Sequence, residues 1–132
     1  MQQKRILVPV GSSLKDLKGV HYALSLAERL ATQIFILQQL ENEGDDDLHS
    51  IWLNEALKDL INSARSAGLR IAHHIADGDV IGEIVSLVKS ESINLLVLGV
   101  DDREYENFTL QLKPHIACQI VQVKEKDHIH YL

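Results

Sequence analysis

The residues with the greatest chemical potential stand at one junction, Asp101-Asp102-Arg103-Glu104, directly after the apolar run Leu95-Leu96-Val97-Leu98-Gly99-Val100. Runs of this kind form covered strands of a parallel sheet, and in open α/β sheets ligands collect at the carboxyl ends of such strands. Three acids there oppose a polyphosphate by like charge, and no glycine between Val100 and Leu132 lets the backbone approach one. The same residues fit a capping box, with Asp101 or Asp102 as cap and Glu104 in the first turn, which would satisfy the unpaired amides of a helix start. A Mg²⁺ ion bridging Asp101 and Asp102 to a phosphate is the competing chemistry. Capping is the preferred reading.

Ser12 and Ser13 follow the strand-like run Arg5 to Val10, and with Val10, Gly11, Gly99, Val100, Asp101 and Asp102 they outline a crevice for a small polar ligand. Serines in such a turn more often cap the next helix. A nucleophilic serine needs a positioned base and an oxyanion site, and the chain has no G-x-S-x-G elbow, so no catalytic residue and no enzymatic activity are expected. His73 and His74 are adjacent on a strand and face opposite ways, whereas His128 and His130 share a face as a two-point chelate for zinc, nickel or copper. Two ligands fall short of a structural site, so neither a metal nor a cofactor is expected. Asp45-Asp46-Asp47 lacks the alternate spacing of a calcium loop and reads as solvated surface. Cys118 lacks a cationic neighbour and reads as a buried thiol in the last strand.

These residues must be carried by 132 positions, 45% of them hydrophobic, which fits one domain spanning 1–132. The net charge of −6 argues against a nucleic-acid surface. No apolar stretch approaches the roughly 20 residues that span a bilayer, so direct membrane insertion is not expected. The single cysteine and the lack of a charged-then-apolar leader lead to an expectation of a cytoplasmic protein.

Strand and helix patterns alternate along the chain. Arg5 to Val10 is a strand; Leu17 to Thr32 keeps Val20, Ala23, Leu24, Ala27 and Leu30 on one helical face. Gln33 to Leu40 is a second strand, and Leu48 to Ala67 a second helix that stops at Gly68. Leu69 to Ala76 is a third strand, and Asp79 caps a third helix. Ile93 to Val100, a short helix from Glu104 to about Leu112, and a fifth strand from Ile116 to Lys124 complete the order. Such alternation predicts right-handed crossovers and an α/β fold: a doubly wound five-stranded parallel sheet with helices on both faces.

Taken together, Lys4 to Val10, Ala23 to Ala31, Gly78-Asp79-Val80-Ile81, Ile93 to Gly99 and His115 to Val123 resemble the universal stress protein family over nearly the whole chain. The resemblance implies an adenine nucleotide alpha hydrolase-like fold, a homodimer formed through the last strand around Ile120, Val121 and Val123, and a non-catalytic role in a stress or regulatory response with an unknown protein partner. One branch of that family binds ATP through a Val-Asp-Gly-Ser pattern after the first strand and a G-x2-G-x9-G-(S/T) motif after the fourth. Here Gly11 stands at the aspartate position, Asp102 at the second glycine, and Leu112 and Lys113 at the closing glycine and hydroxyl, with only Gly99 matching. The chain therefore resembles the branch that lacks the ATP motif, and an adenosine or AMP sensor with a reshaped phosphate loop is the alternative.

Overall fold

Along Arg5–Val10 the side chains of Ile6, Val8 and Val10 enter one apolar cluster and that of Leu7 enters another, so the strand is buried on both sides. A strand covered in this way belongs in the middle of a sheet. The computed structural model describes residues 4–10, 17–30, 32–39, 48–76, 79–125 and 128–131. Its elements are β1 (Arg5–Val10), α1 (Lys18–Leu30), β2 (Gln33–Gln39), α2 (Leu48–Ser66), β3 (Arg70–Ala76), α3 (Val80–Ser90), β4 (Leu95–Leu98), α4 (Asp102–Leu112), β5 (Gln119–Glu125) and β6 (His128–Tyr131). The sheet runs β3-β2-β1-β4-β5-β6, and β1 to β5 are mutually parallel.

The five parallel strands and the helices on both faces match the sequence expectation. From α1 and α2, Val20, Ala23, Ala27, Leu57, Ile61 and Ala64 pack on one face of the sheet. From α3 and α4, Ile84, Leu87, Val88, Tyr105, Phe108 and Leu112 pack on the other. The chain adds strands outward from β1 to β3, then returns through α3 to place β4 on the other side of β1. That reversal makes the β1/β4 boundary the switch point of the sheet.

Local signals terminate the helices where the sequence places them. Gly68 holds φ at +95° after α2; its N–H donates to Arg65 O at 3.0 Å and the Leu69 N–H to Ala64 O at 3.0 Å, the paired bonds of a Schellman turn. Asp79 caps α3, accepting from the Ile81 N–H at 3.2 Å.

Two strands depart from expectation. The β4 ladder is shorter than Ile93 to Val100: the Ile93 N–H donates back to Val88 O of α3 at 3.1 Å, and the Val100 carbonyl bonds to a side chain instead of a strand partner. The expected fifth strand also starts late, since the chain leaves α4 through a turn in which the His115 and Ile116 N–H groups both donate to Leu112 O. In addition, His128–Tyr131 pairs antiparallel with β5, setting Tyr131 opposite Val121 and Ile129 opposite Val123, and gives the sheet a sixth strand. The sequence has no Asn-Gly or similar turn signal after Glu125 to announce this hairpin.

Candidate functional site

The expected site falls at the switch-point corner, where β1 and β4 end side by side. Val10 closes β1 as a buried side chain, and Gly99 and Val100 continue β4 as buried residues. Gly11, Ser12 and Ser13 lie outside the described residues, as does the acidic run from Glu41 to Asp47. Gly99, Val100, Asp101 and Asp102 come together at the corner that leads into α4.

Each group at that corner has a partner inside the chain. Gly99 lies against the start of α1: a Cβ added to it would sit 2.9 Å from the Gly19 backbone nitrogen, and one added to Gly19 would sit 3.2 Å from the Gly99 nitrogen. The glycine that matches the first position of the phosphate motif therefore serves close helix-to-strand packing here. Asp101 is the N-cap of α4, its Oδ1 accepting the Glu104 N–H at 2.9 Å while its carbonyl accepts the Tyr105 N–H at 2.9 Å. This realises the expected cap on Asp101, with Glu104 at the third helical position. Asp102 Oδ1 accepts from Gln122 Nε2 at 3.0 Å, and the same amide donates to Val100 O at 3.1 Å.

Gln122 is a site residue that the sequence reading overlooks. It is 2% exposed in a strand otherwise lined with Ile120, Val121 and Val123. The available signal is the single amide in that apolar run, because a buried polar side chain requires a partner.

Electrostatically, α4 begins with Asp101 as its cap and Asp102 and Glu104 in its first turn. Carboxylates here complement the helix dipole and would repel an incoming phosphate. Behind this turn, Tyr105 is buried, and burial pushes its phenol above the ordinary range. Its hydroxyl has no hydrogen-bond partner among the described residues. Cys118 is half-buried just before β5 and not a buried residue of that strand, because the turn after α4 delays the strand to Gln119; its partial burial still raises the thiol, only partly offset by a backbone hydrogen bond, which makes the thiolate scarce at neutral pH.

The three residues expected at a dimer contact have other neighbours. Ile120 is buried in the cluster under α3 and α4, and Val121 and Val123 in the cluster under α1 and α2. β6 pairs along the outer side of β5. The apolar faces of β5 are thus occupied by the chain's own helices.

A second polar cluster sits between α2 and the edge strand β3. Gln38, at the end of β2, donates through Nε2 to Asn54 Oδ1 and contacts His73 Nε2 through Oε1 at 2.9 Å. With the Gln38 amide so placed, its Oε1 can only accept, so His73 carries its proton on Nε2. His73 keeps a solvent-exposed side, and desolvation of its inner side, followed by the Arg65 and His74 charges, holds it below the ordinary histidine value. His74 faces the opposite side and stacks on Phe35, with ring centroids 6.2 Å apart, as expected for adjacent strand positions. Among the described residues no group of three or more His, Cys, Asp or Glu side chains could hold a metal ion.

A doubly wound sheet with its strand-end corner at the β1/β4 switch point defines an α/β domain of the adenine nucleotide alpha hydrolase-like class. The family model described as the universal stress protein family matches residues 3–107, and the chain belongs to that family. A universal stress protein solved in complex with cAMP superposes with a TM-score of 0.65 at 16% identity, covering 92% of this chain and 96% of the other. The universal stress protein from Archaeoglobus fulgidus in complex with dAMP gives 0.62 at 16% identity, covering 94% and 100%. A universal stress protein family protein from Arabidopsis thaliana with AMP bound gives 0.59 at 20% identity, covering 94% and 93%. No curated protein matches the chain by sequence.

Proposed function

We propose that this chain is a non-catalytic universal-stress-type domain that does not hold ATP and acts in the cytoplasm through self-association and protein contacts in a stress or regulatory response. The observation that carries this reading is the internal use of the corner after β4: Asp101 caps α4, Asp102 is held by Gln122, and Gly99 is packed against Gly19. A triphosphate needs free amides, glycines and positive charge, and this corner offers carboxylates in their place. Because Ile120, Val121 and Val123 of β5 are turned into the protomer's own core, self-association on this reading uses the β6 edge, or the β5 backbone once β6 is displaced.

The second reading is an adenosine or AMP sensor. It is favoured by the solved relatives that carry cAMP, dAMP and AMP, each with a single phosphate. A lone phosphate brings less negative charge to Asp101 and Asp102 than a triphosphate does.

Calorimetry with ATP, ADP, AMP and adenosine on nucleotide-stripped protein, with and without Mg²⁺, separates the two readings. The first expects no heat from any of them and a sedimentation velocity pattern that shifts to dimer as protein concentration rises. Saturable heat from AMP or adenosine moves the assignment to the sensor, and tight ATP binding refutes both.

A further inference from the structure

β3 forms one end of the sheet, and the register fixes which of its backbone groups face outward. The Gln33 N–H donates to Lys4 O at 3.3 Å, so Gln33 faces β1, and by alternation Ile34, Ile36 and Gln38 face β3. In a parallel pair a residue bonds to the two that flank its register partner. Ile34 is in register with Ile71 and Ile36 with His73, so Arg70, Ala72, His74 and Ala76 bond to β2. Ile71, His73 and Ile75 therefore turn their N–H and C=O groups away from the sheet.

One group in that outward row is covered. The Ile71 carbonyl accepts from Arg65 Nη2 of α2 at 2.9 Å, and among the described residues no other hydrogen bond reaches the row. Edge strands are ordinarily blunted by proline, lysine, a bulge or shortness. β3 has none of these: it keeps seven residues, Arg70–Ala76, in unbroken register with β2. His73, His74 and Ile75 are exposed along it, Ile75 to 50%. We propose that the β3 edge receives an extended acidic segment of a partner protein as an added strand, with Arg65 as the residue that selects it.

The charge around the edge carries the choice of partner. From Leu60 to Ala76 the chain has Arg65 and Arg70 and no Asp or Glu, although acids outnumber Lys and Arg by 19 to 13 overall. The groove between α2 and β3, which Arg65 and His73 help to line, adds Lys58 and a single acid, Glu55. A neutral strand would compete with Arg65 for the Ile71 carbonyl and offer the guanidinium nothing in return. A carboxylate on the incoming strand takes the guanidinium instead, in a charge-assisted bond about twice as strong as a neutral one. The carbonyl released in that exchange then joins the outward row. A second copy of β3 fits worse, because pairing two such edges sets Arg65 and Arg70 of one copy against those of the other.

This inference rests on the protein-contact reading above and names a surface for it. Main-chain hydrogen bonds to an open edge give affinity, and side chains facing the flanking groups give specificity.

The test titrates ¹⁵N-labelled full-length protein with three end-blocked pentapeptides, Glu-Val-Glu-Val-Glu, Gln-Val-Gln-Val-Gln and Lys-Val-Lys-Val-Lys. The expected result is saturable shifts with the acidic peptide at the outward amides of Ile71, His73 and Ile75, larger than those at the inward amides of Ala72 and His74. The Gln peptide should bind about tenfold more weakly, through loss of the charge-assisted contact, and the Lys peptide not at all. Arg65→Gln should bring the acidic peptide to the affinity of the Gln peptide. Ile75→Pro removes an outward N–H that β2 does not use, a place where an edge strand tolerates proline, and should abolish binding while the β2 amides keep their positions. The proposal is overturned by no saturable shift at millimolar acidic peptide, by equal binding of the Gln or Lys peptide, or by an unchanged preference in Arg65→Gln. It is also overturned if the Ile71, His73 and Ile75 amides shift with protein concentration alone, which would give the edge to a second copy. Nucleotide binding reports at Gly99 to Glu104, so failure of this inference and failure of the non-nucleotide reading are seen at different amides.

Discussion

Gln122 Nε2 lies 3.0 Å from Asp102 Oδ1 and 3.1 Å from Val100 O, so one buried amide ties β5 both to the end of β4 and to the first residue of α4. The Val100 carbonyl, which has left the strand ladder, is thereby satisfied, and Asp102 is held at the strand-end corner. Truncating Gln122 to Leu should strand that carbonyl and remove one hydrogen bond from the Asp102 carboxylate. The expected destabilisation in urea unfolding is about 1–3 kcal/mol. An unchanged midpoint would mean that the amide does not hold the corner.

Gly99 and Gly19 should respond together. Gly99→Ala puts a methyl group 2.9 Å from a backbone nitrogen, a contact that only movement of α1 away from β4 can relieve. Overpacking of this type costs about 1–3 kcal/mol. Gly19→Ala, with its closest contact at 3.2 Å, should cost less. Thermal unfolding of both variants checks the order, and the reverse order would contradict the packing role assigned to Gly99.

Asp101 should act by geometry more than by charge. Asp101→Ala removes the acceptor for the Glu104 N–H and should cost about 1 kcal/mol, whereas Asp101→Asn retains a capping oxygen and should cost only a few tenths. Equal losses for the two variants in urea unfolding would make the charge the important property. The double variant Asp101→Gly/Asp102→Gly addresses ligand binding: if ATP affinity stays absent in calorimetry, the missing loop and not repulsion is the cause.

His73 should make the fold acid-sensitive. Burial first, and the Arg65 and His74 charges after it, set its folded-state pKa below the ordinary value of 6.5. The unfolded chain therefore binds the proton first, and stability falls as pH drops from about 6.5 through the lower folded-state value, then levels off. His73→Gln should flatten this decline. Urea midpoints for both proteins at a series of pH values should diverge only on the acid side, and a divergence confined to alkaline pH would refute the assignment.

The parallel sheet was legible because periodicity and punctuation agreed: the Val20, Ala23 and Ala27 stripe, the Gly68 stop and the Asp79 cap all appear in the structure. The Asp101 cap was equally legible, since an acid before a helix with Glu104 three positions on is a local signal. β6 was not, because its pairing with β5 depends on register across a turn with no turn-type residue pair to mark it. Gln122 and Gln38 stayed hidden for a different reason. Their partners, Asp102 and Val100 for one and Asn54 and His73 for the other, are 16 to 35 residues away in sequence, and only the fold brings them together.

The most direct test of the central claim follows the backbone amides of Gly99 to Glu104 by ¹⁵N NMR during titration with Mg²⁺–ATP. If the corner is already satisfied by Asp101, Gln122 and Gly19, these amides should show no saturable shift at millimolar nucleotide. A saturable shift centred on Asp101 to Glu104, reversed by removing the nucleotide, would show that the α4 N-terminus still receives phosphate and would contradict the account.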